Sequence, residues 1–168
     1  MLRFRATLDD DPGRRFAAAA ARGRDMRPAN RAMGQAGVRQ TQRRFVFKRA
    51  PDGSTWKPTD KPSGETMIKS GLLLRSIVAQ AATQTGVEWG SNRIYAAMRQ
   101  RGGIIRAKAG GALRFQVGGN GFWVMVKQVT QHARPYLGVN DQDMAEFAAI
   151  GLRHFGDPLT SGTWAGGR

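Results

Sequence analysis

Between positions 70 and 92 the chain reads SGLLLRSIVAQAATQTGVEWGSN, and this stretch restricts the fold more than any other. On an extended chain Leu72, Leu74, Ser76 and Val78 fall on one side and Leu73, Arg75, Ile77 and Ala79 on the other. After a gap rich in Thr, Gln and Gly, the short run Val87-Glu88-Trp89-Gly90 returns. Two strands and a turn are the economical reading. An amphipathic helix over 70–80 is the alternative, because Leu72, Leu73, Ser76 and Ala79 also fit helical spacing. The stop at Gly90-Ser91-Asn92, followed by a helical run over 95–100, favours the hairpin.

The other elements arrange themselves around it. Leu2, Phe4, Ala6 and Leu8 alternate with Arg3, Arg5 and Thr7, the pattern of an edge strand with one wet face. Asp11-Pro12 then opens a helix over 12–22, with Gly23 as its stop. A longer helix runs from the break at 25–28 to about Lys48, with Ala29, Met33, Ala36, Val38, Gln42 and Phe45 at helical spacing. Gly34 and Gly37 weaken its middle by roughly 1 kcal/mol each relative to alanine, and are read as marking a close helix crossing. Residues 50–69 hold three prolines and two glycines, which excludes a continuous helix or a central strand. Pro51-Asp52-Gly53 is a turn, and Trp56 anchors the loop as a core aromatic, with ligand stacking or a subunit contact as the other roles open to it.

Beyond position 100, Leu113, Phe115 and Val117 alternate with polar residues, residues 118–121 supply an Asn-Gly turn, and FWVMVKQV returns, giving a second hairpin. Arg134-Pro135-Tyr136-Leu137 is an extended segment, expected to clip against the central sheet. Asn140 caps a last helix with Asp143 three residues on, and Met144, Phe147, Ala148, Gly151 and Phe155 form its buried stripe. The helix is expected to end near Phe155. Residues 156–168 then form a flexible tail in which Trp164 is either incidental or an anchor for a neighbouring subunit. The fold class is α+β: a small, mostly antiparallel sheet packed with N-terminal helices and a C-terminal helix, in one domain over 1–155.

Charge and composition limit what such a domain does. Of 168 residues, 27 are Lys or Arg and 12 Asp or Glu, and the formal charge of +15 comes mostly from arginine, which suits planar contacts to phosphates or carboxylates. There is no cysteine and the two histidines lie far apart, so no metal or other cofactor is expected. No run approaches the roughly 18 apolar residues of a membrane span, and the N-terminus lacks a signal-peptide core, so a soluble protein made in the cytoplasm is expected. No G-x-S-x-G, G-x-G-x-x-G or Walker pattern occurs, and the paired acids read as a turn and a cap; no catalytic set is expected. Arg99, Arg101, Arg106, Lys108 and Arg114 crowd around a glycine-rich section, as a nucleic-acid contact or a solvated tip.

Several short motifs recur in a fixed order: Arg44-Phe45; Pro51-Asp52-Gly53 with Trp56 and Pro58; Ser70-Gly71-Leu72 with Ser76-Ile77; Gly90-Ser91-Asn92 with Tyr95-Ala96; Gln100 with Gly102-Gly103; and Ala133-Arg134-Pro135-Tyr136-Leu137-Gly138 with Asp141. In that order they resemble the tailed-phage virion morphogenesis family, the Mu G-like tail completion proteins, over residues 26–155. Arg99 stands where the family commonly has histidine, Tyr136 where it commonly has phenylalanine, and residues 104–131 form a longer, more individual insertion. The resemblance implies a structural protein of the phage neck, acting as a hexameric ring that finishes the tail and joins it to the head. Its partners would be further copies of itself, the tail tube protein, and a head-tail connector or stopper protein. Arg99, Arg101, Arg106, Lys108 and Arg114 would then face packaged DNA in the channel or an acidic neighbour. A free basic nucleic-acid-binding protein is the alternative.

Overall fold

The computed structural model describes residues 12–58, 67–68, 70–117 and 122–160. The expected strand over 2–8, the expected Asn-Gly turn at 118–121 and Trp164 lie outside them. Helices α1 (Pro12–Gly23) and α2 (Arg27–Phe47) are followed by a single helical turn, α3 (Leu72–Arg75), and the hairpin β1 (Ile77–Ala79) and β2 (Trp89–Ser91). Next come α4 (Ala96–Arg101), the strands β3 (Gly103–Arg106), β4 (Leu113–Val117), β5 (Phe122–Val126) and β6 (Gln128–Gln131), and the long helix α5 (Asp141–Thr160). The class is α+β. Among the described residues the strands form three antiparallel two-stranded ribbons, β1 with β2, β3 with β6 and β4 with β5, rather than one sheet.

The central hairpin forms in the register Ile77↔Ser91, Val78↔Gly90, Ala79↔Trp89, but its first half is helical. Gly71 takes a left-handed φ of 66°, and the turn that follows sets Leu73 and Ile77 four residues apart on one buried face. Ser76 ends it: its hydroxyl donates to the Leu73 carbonyl at 2.7 Å and lies 2.7 Å from the Ser91 hydroxyl across the hairpin. The apolar pattern is thus split between two periods.

Helix α2 is the spine, and both α5 and the β1/β2 hairpin pack along it. Gly34 and Gly37 mark a close approach, but to the hairpin and not to a helix. A Cβ on Gly34 would stand 2.6 Å from Val87 Cγ2, and one on Gly37 would stand 2.6 Å from Trp89 Cε2. Trp89 lies flat enough on α2 for its indole N–H to donate to Thr41 Oγ1 at 3.2 Å, and it meets Phe147 of α5 edge-on at 5.9 Å.

The last helix begins as its sequence suggests. Asn140 Oδ1 accepts from the Asp143 N–H at 2.9 Å while Asp143 Oδ2 accepts from the Asn140 N–H at 3.0 Å, a reciprocal box. Its buried face differs from the expected stripe: Asp143 and Ile150 are buried and Phe147 is half-buried, whereas Met144 and Ala148 face outward. The helix also runs past Phe155 to Thr160, so residues 156–160 are helical instead of tail. Proline 158 has no N–H for the His154 carbonyl four residues back; Arg22 Nη1 of α1 donates to that carbonyl at 3.4 Å. His154 Nε2 lies 3.0 Å from both the Arg22 and Asp25 carbonyls, closing the end of α1.

Gly37→Ala tests the helix–hairpin approach. Alanine raises helix propensity by about 1 kcal/mol, yet its Cβ would overlap the indole ring, at a cost of about 1–3 kcal/mol. The expected outcome is a lower melting temperature than wild type; a higher one would show that the hairpin stands further off.

Candidate assembly surface

An extended strap, residues 134–138, is held at positions 135 to 138 by side chains from other elements. Gln100 of α4 uses both ends of its amide: Oε1 accepts from the Tyr136 and Leu137 N–H groups at 2.9 and 3.0 Å, and Nε2 donates to the Leu137 carbonyl at 2.9 Å. Arg44 of α2 donates to the carbonyls of Tyr136 at 3.0 Å and Gly138 at 2.7 Å, and forms a buried ion pair with Asp143. Trp56 donates its indole N–H to the Pro135 carbonyl at 2.8 Å, and Arg134 reaches back to the Lys57 carbonyl at 3.2 Å. Tyr136 and Phe45 pack at 5.1 Å between ring centres, with Trp56 edge-on to Phe45 at 5.6 Å.

This strap is therefore a clip, but it closes on α2, α4 and the loop after α2 more than on a sheet; from the strands the same core cluster takes Ile77. Trp56, at 4% exposure, is a core aromatic with no surface to offer a neighbouring subunit. The turn that delivers it forms by the expected route: Asp52 Oδ1 accepts from the Ser54 N–H at 2.9 Å and hydroxyl at 2.6 Å.

The strands β3 to β6 form an arm. Its base is the β3/β6 ladder, the Ala107 N–H donates to the Lys127 carbonyl at 2.9 Å, and the β4/β5 ladder continues from Leu113↔Val126 to Val117↔Phe122. Six residues on one strand, 107–112, stand opposite Lys127 alone, so an excursion carrying Lys108 leaves the arm at mid-length. Both faces are accessible. Phe122 is 71% exposed, Trp123 57% and Met125 68%, and Ile104 and Ile105 are exposed at the base.

The five basic residues singled out from sequence are strung out and not gathered into one patch. Arg99 is half-buried on α4, with its carbonyl accepting from the Arg134 N–H at 2.8 Å; Arg101 is exposed in the last turn of that helix. Arg106 ends β3, Lys108 sits on the excursion, and the Arg114 guanidinium lies 4.5 Å from the centre of the Trp123 ring. Sequence reasoning missed Lys127, which the register sets beside the excursion, and the exposure of Phe122, Trp123 and Met125. The strictly apolar FWVMV run gave the signal, since a strand with one buried face alternates and this one does not. Among the described residues no helix is long and apolar enough to cross a membrane.

The chain belongs to the phage virion morphogenesis family, whose model matches residues 13–156. It is a virion-associated bacteriophage protein with a role in virion assembly. The match takes in α1 as well as the motifs that carry the resemblance, and it spans the arm. No curated protein and no solved structure matches the chain.

Two substitutions test the clip. Arg44→Met leaves Asp143 as a buried, uncompensated carboxylate, and the expected loss in chemical denaturation is about 3–5 kcal/mol, partly recovered by adding Asp143→Leu; a single variant within about 1 kcal/mol of wild type would contradict the geometry. Tyr136→Ala should cost about 3–5 kcal/mol, and unchanged melting with lost assembly would move Tyr136 from the core to an interface. Burial, then the nearby Tyr95, raises the Tyr136 pKa above the ordinary phenol value. The unfolded phenol ionises first, near about pH 10, so this stabilisation is complete below that pH and lost as pH climbs toward the folded value. Tyr136→Phe should flatten that part of the alkaline limb of the stability–pH curve.

Proposed function

We propose that this chain is a tail completion or tail terminator subunit of the phage neck, acting without catalysis as a ring, commonly sixfold in such proteins, that finishes the tail and joins it to the head. The observation that carries this reading is the family match over 13–156 together with a body closed around its own core and an arm left outside it. A ring requires heterologous contacts, one surface of a copy meeting a different surface of the next. Opposite faces of the closed body supply such a pair, and the arm is left to reach another protein of the neck. Further copies, the tail tube protein and a connector or stopper protein are the partners this role requires.

The net charge of +15 favours a second reading, a free nucleic-acid-binding protein. Filter binding at physiological salt separates the two. Tight binding of duplex DNA by the isolated protein supports the second reading; weak binding together with attachment to tails supports the first. Within the neck reading, Arg99, Arg101, Arg106, Lys108 and Arg114 contact packaged DNA or an acidic neighbour.

Electron microscopy of particles from phage lacking this chain tests the main proposal. Free filled heads and free tails, or tails of abnormal length, are expected. Normal joined particles would overturn it.

A further inference from the structure

We infer that the distal ribbon of the arm, strands β4 and β5, is a docking probe for a different protein, one that offers an apolar furrow edged with carboxylates. The inference rests on the virion-assembly role only in where that partner is sought. A two-stranded ribbon in water is marginal by itself and gains stability when another surface covers an apolar face. Here the register sets Leu113 opposite Val126 and Phe115 opposite Val124 on one face, and Arg114 opposite Met125 and Gln116 opposite Trp123 on the other. Phe122, Trp123 and Met125 are each more than half exposed.

Three observations select the occupant. Among the fourteen residues 113–126 the one charged side chain is Arg114, whose cation already lies over Trp123, and Lys, Asp and Glu are absent. Aromatic residues, Met and Arg without Lys or acids are the make-up of the desolvated centre of a protein interface. A DNA-tracking ribbon needs cations along its length; on this arm Arg106, Lys108 and Lys127 stand at mid-length, where the two ladders meet, as a collar below the distal ribbon.

That collar sets the edge of the partner. No Asp or Glu occurs anywhere from 89 to 140, so the arm meets carboxylates without internal competition. A second copy of this chain is a poor match. The groove it offers, about 630 Å³ between α2 and β1 and lined by Val38, Ile77 and Ala79, has Arg31 and Arg39 and no carboxylate in its lining, on a chain of charge +15. Like charges across an interface disfavour that pairing.

Heads and tails purified from phage grown without this chain serve as probes, each sedimented with purified protein. Wild type is expected to attach to one of them. The variant Phe122→Ser/Trp123→Ser/Met125→Ser should attach at least about tenfold more weakly, with melting and sedimentation coefficient unchanged. The collar variant Arg106→Glu/Lys108→Glu/Lys127→Glu should also attach less and should lose the salt dependence of attachment. Should the serine variant melt lower than wild type, the collar variant, altered only at exposed charges, decides alone. Equal attachment of the variants and wild type overturns this inference and leaves the neck role standing. Attachment of wild type to neither particle overturns both. A changed oligomeric state in the serine variant would assign the arm to another copy, and loss of DNA retention on filters with attachment intact would assign it to nucleic acid; either result refutes the proposal.

Discussion

Arg44 carries its charge into the centre of the subunit, where its guanidinium reaches the carbonyls of Tyr136 and Gly138 and the carboxylate of Asp143. Moving either charge out of water costs several kcal/mol, and attraction alone recovers this only when the remaining donors and acceptors are also satisfied. The planar fork of five N–H donors meets that condition here, since one side chain serves two peptide carbonyls and a carboxylate. The carboxylate in turn caps the Asn140 N–H at the start of α5. One residue near the end of α2 thereby fixes the strap and the last helix together, and a lysine there would bring a point charge without the fork.

The strap solves a problem that regular elements do not have. Backbone without a ladder or a helix leaves its N–H and C=O groups seeking partners, and inside a core those partners must be side chains. Gln100, Arg44 and Trp56 fill this need for residues 135–138, and the Arg134 N–H finds the Arg99 carbonyl. Tyr136 can then be almost wholly buried beside Phe45 although the chain that carries it is irregular.

What the sequence made legible was local. The α1 and α2 spans, the Asn140–Asp143 box, the Pro51-Asp52-Gly53 turn and the pairing of β4 with β5 each arise from residues close in sequence, and each is present. The misreadings are tertiary. Leu72 to Arg75 fit both periods, and burial of Leu73 with Ile77 chose the helical one. Gly34 and Gly37 announced a close contact without saying that Val87 and Trp89 would make it. On α5, the pull of Arg44 on Asp143 rotates the buried face away from Met144. The basic residues of the candidate surface were visible as a group, but their spacing along an arm, and the bare Phe122 and Trp123 beyond them, depended on a register that spans residues 103–131.

The strap is gripped by its peptide groups as well as by the side chains of Arg134 and Tyr136. Gln100 bonds the N–H and C=O of Leu137 and the N–H of Tyr136, and Arg44 bonds carbonyls, so any residue at 137 except proline presents the same atoms to its keepers. Mutational freedom is therefore lopsided. Position 137, half-buried, can change its side chain at less cost than either Gln100 or Arg44, whose forked groups have almost no substitutes, while Tyr136 is held by burial and Gly138 by its φ of 151°.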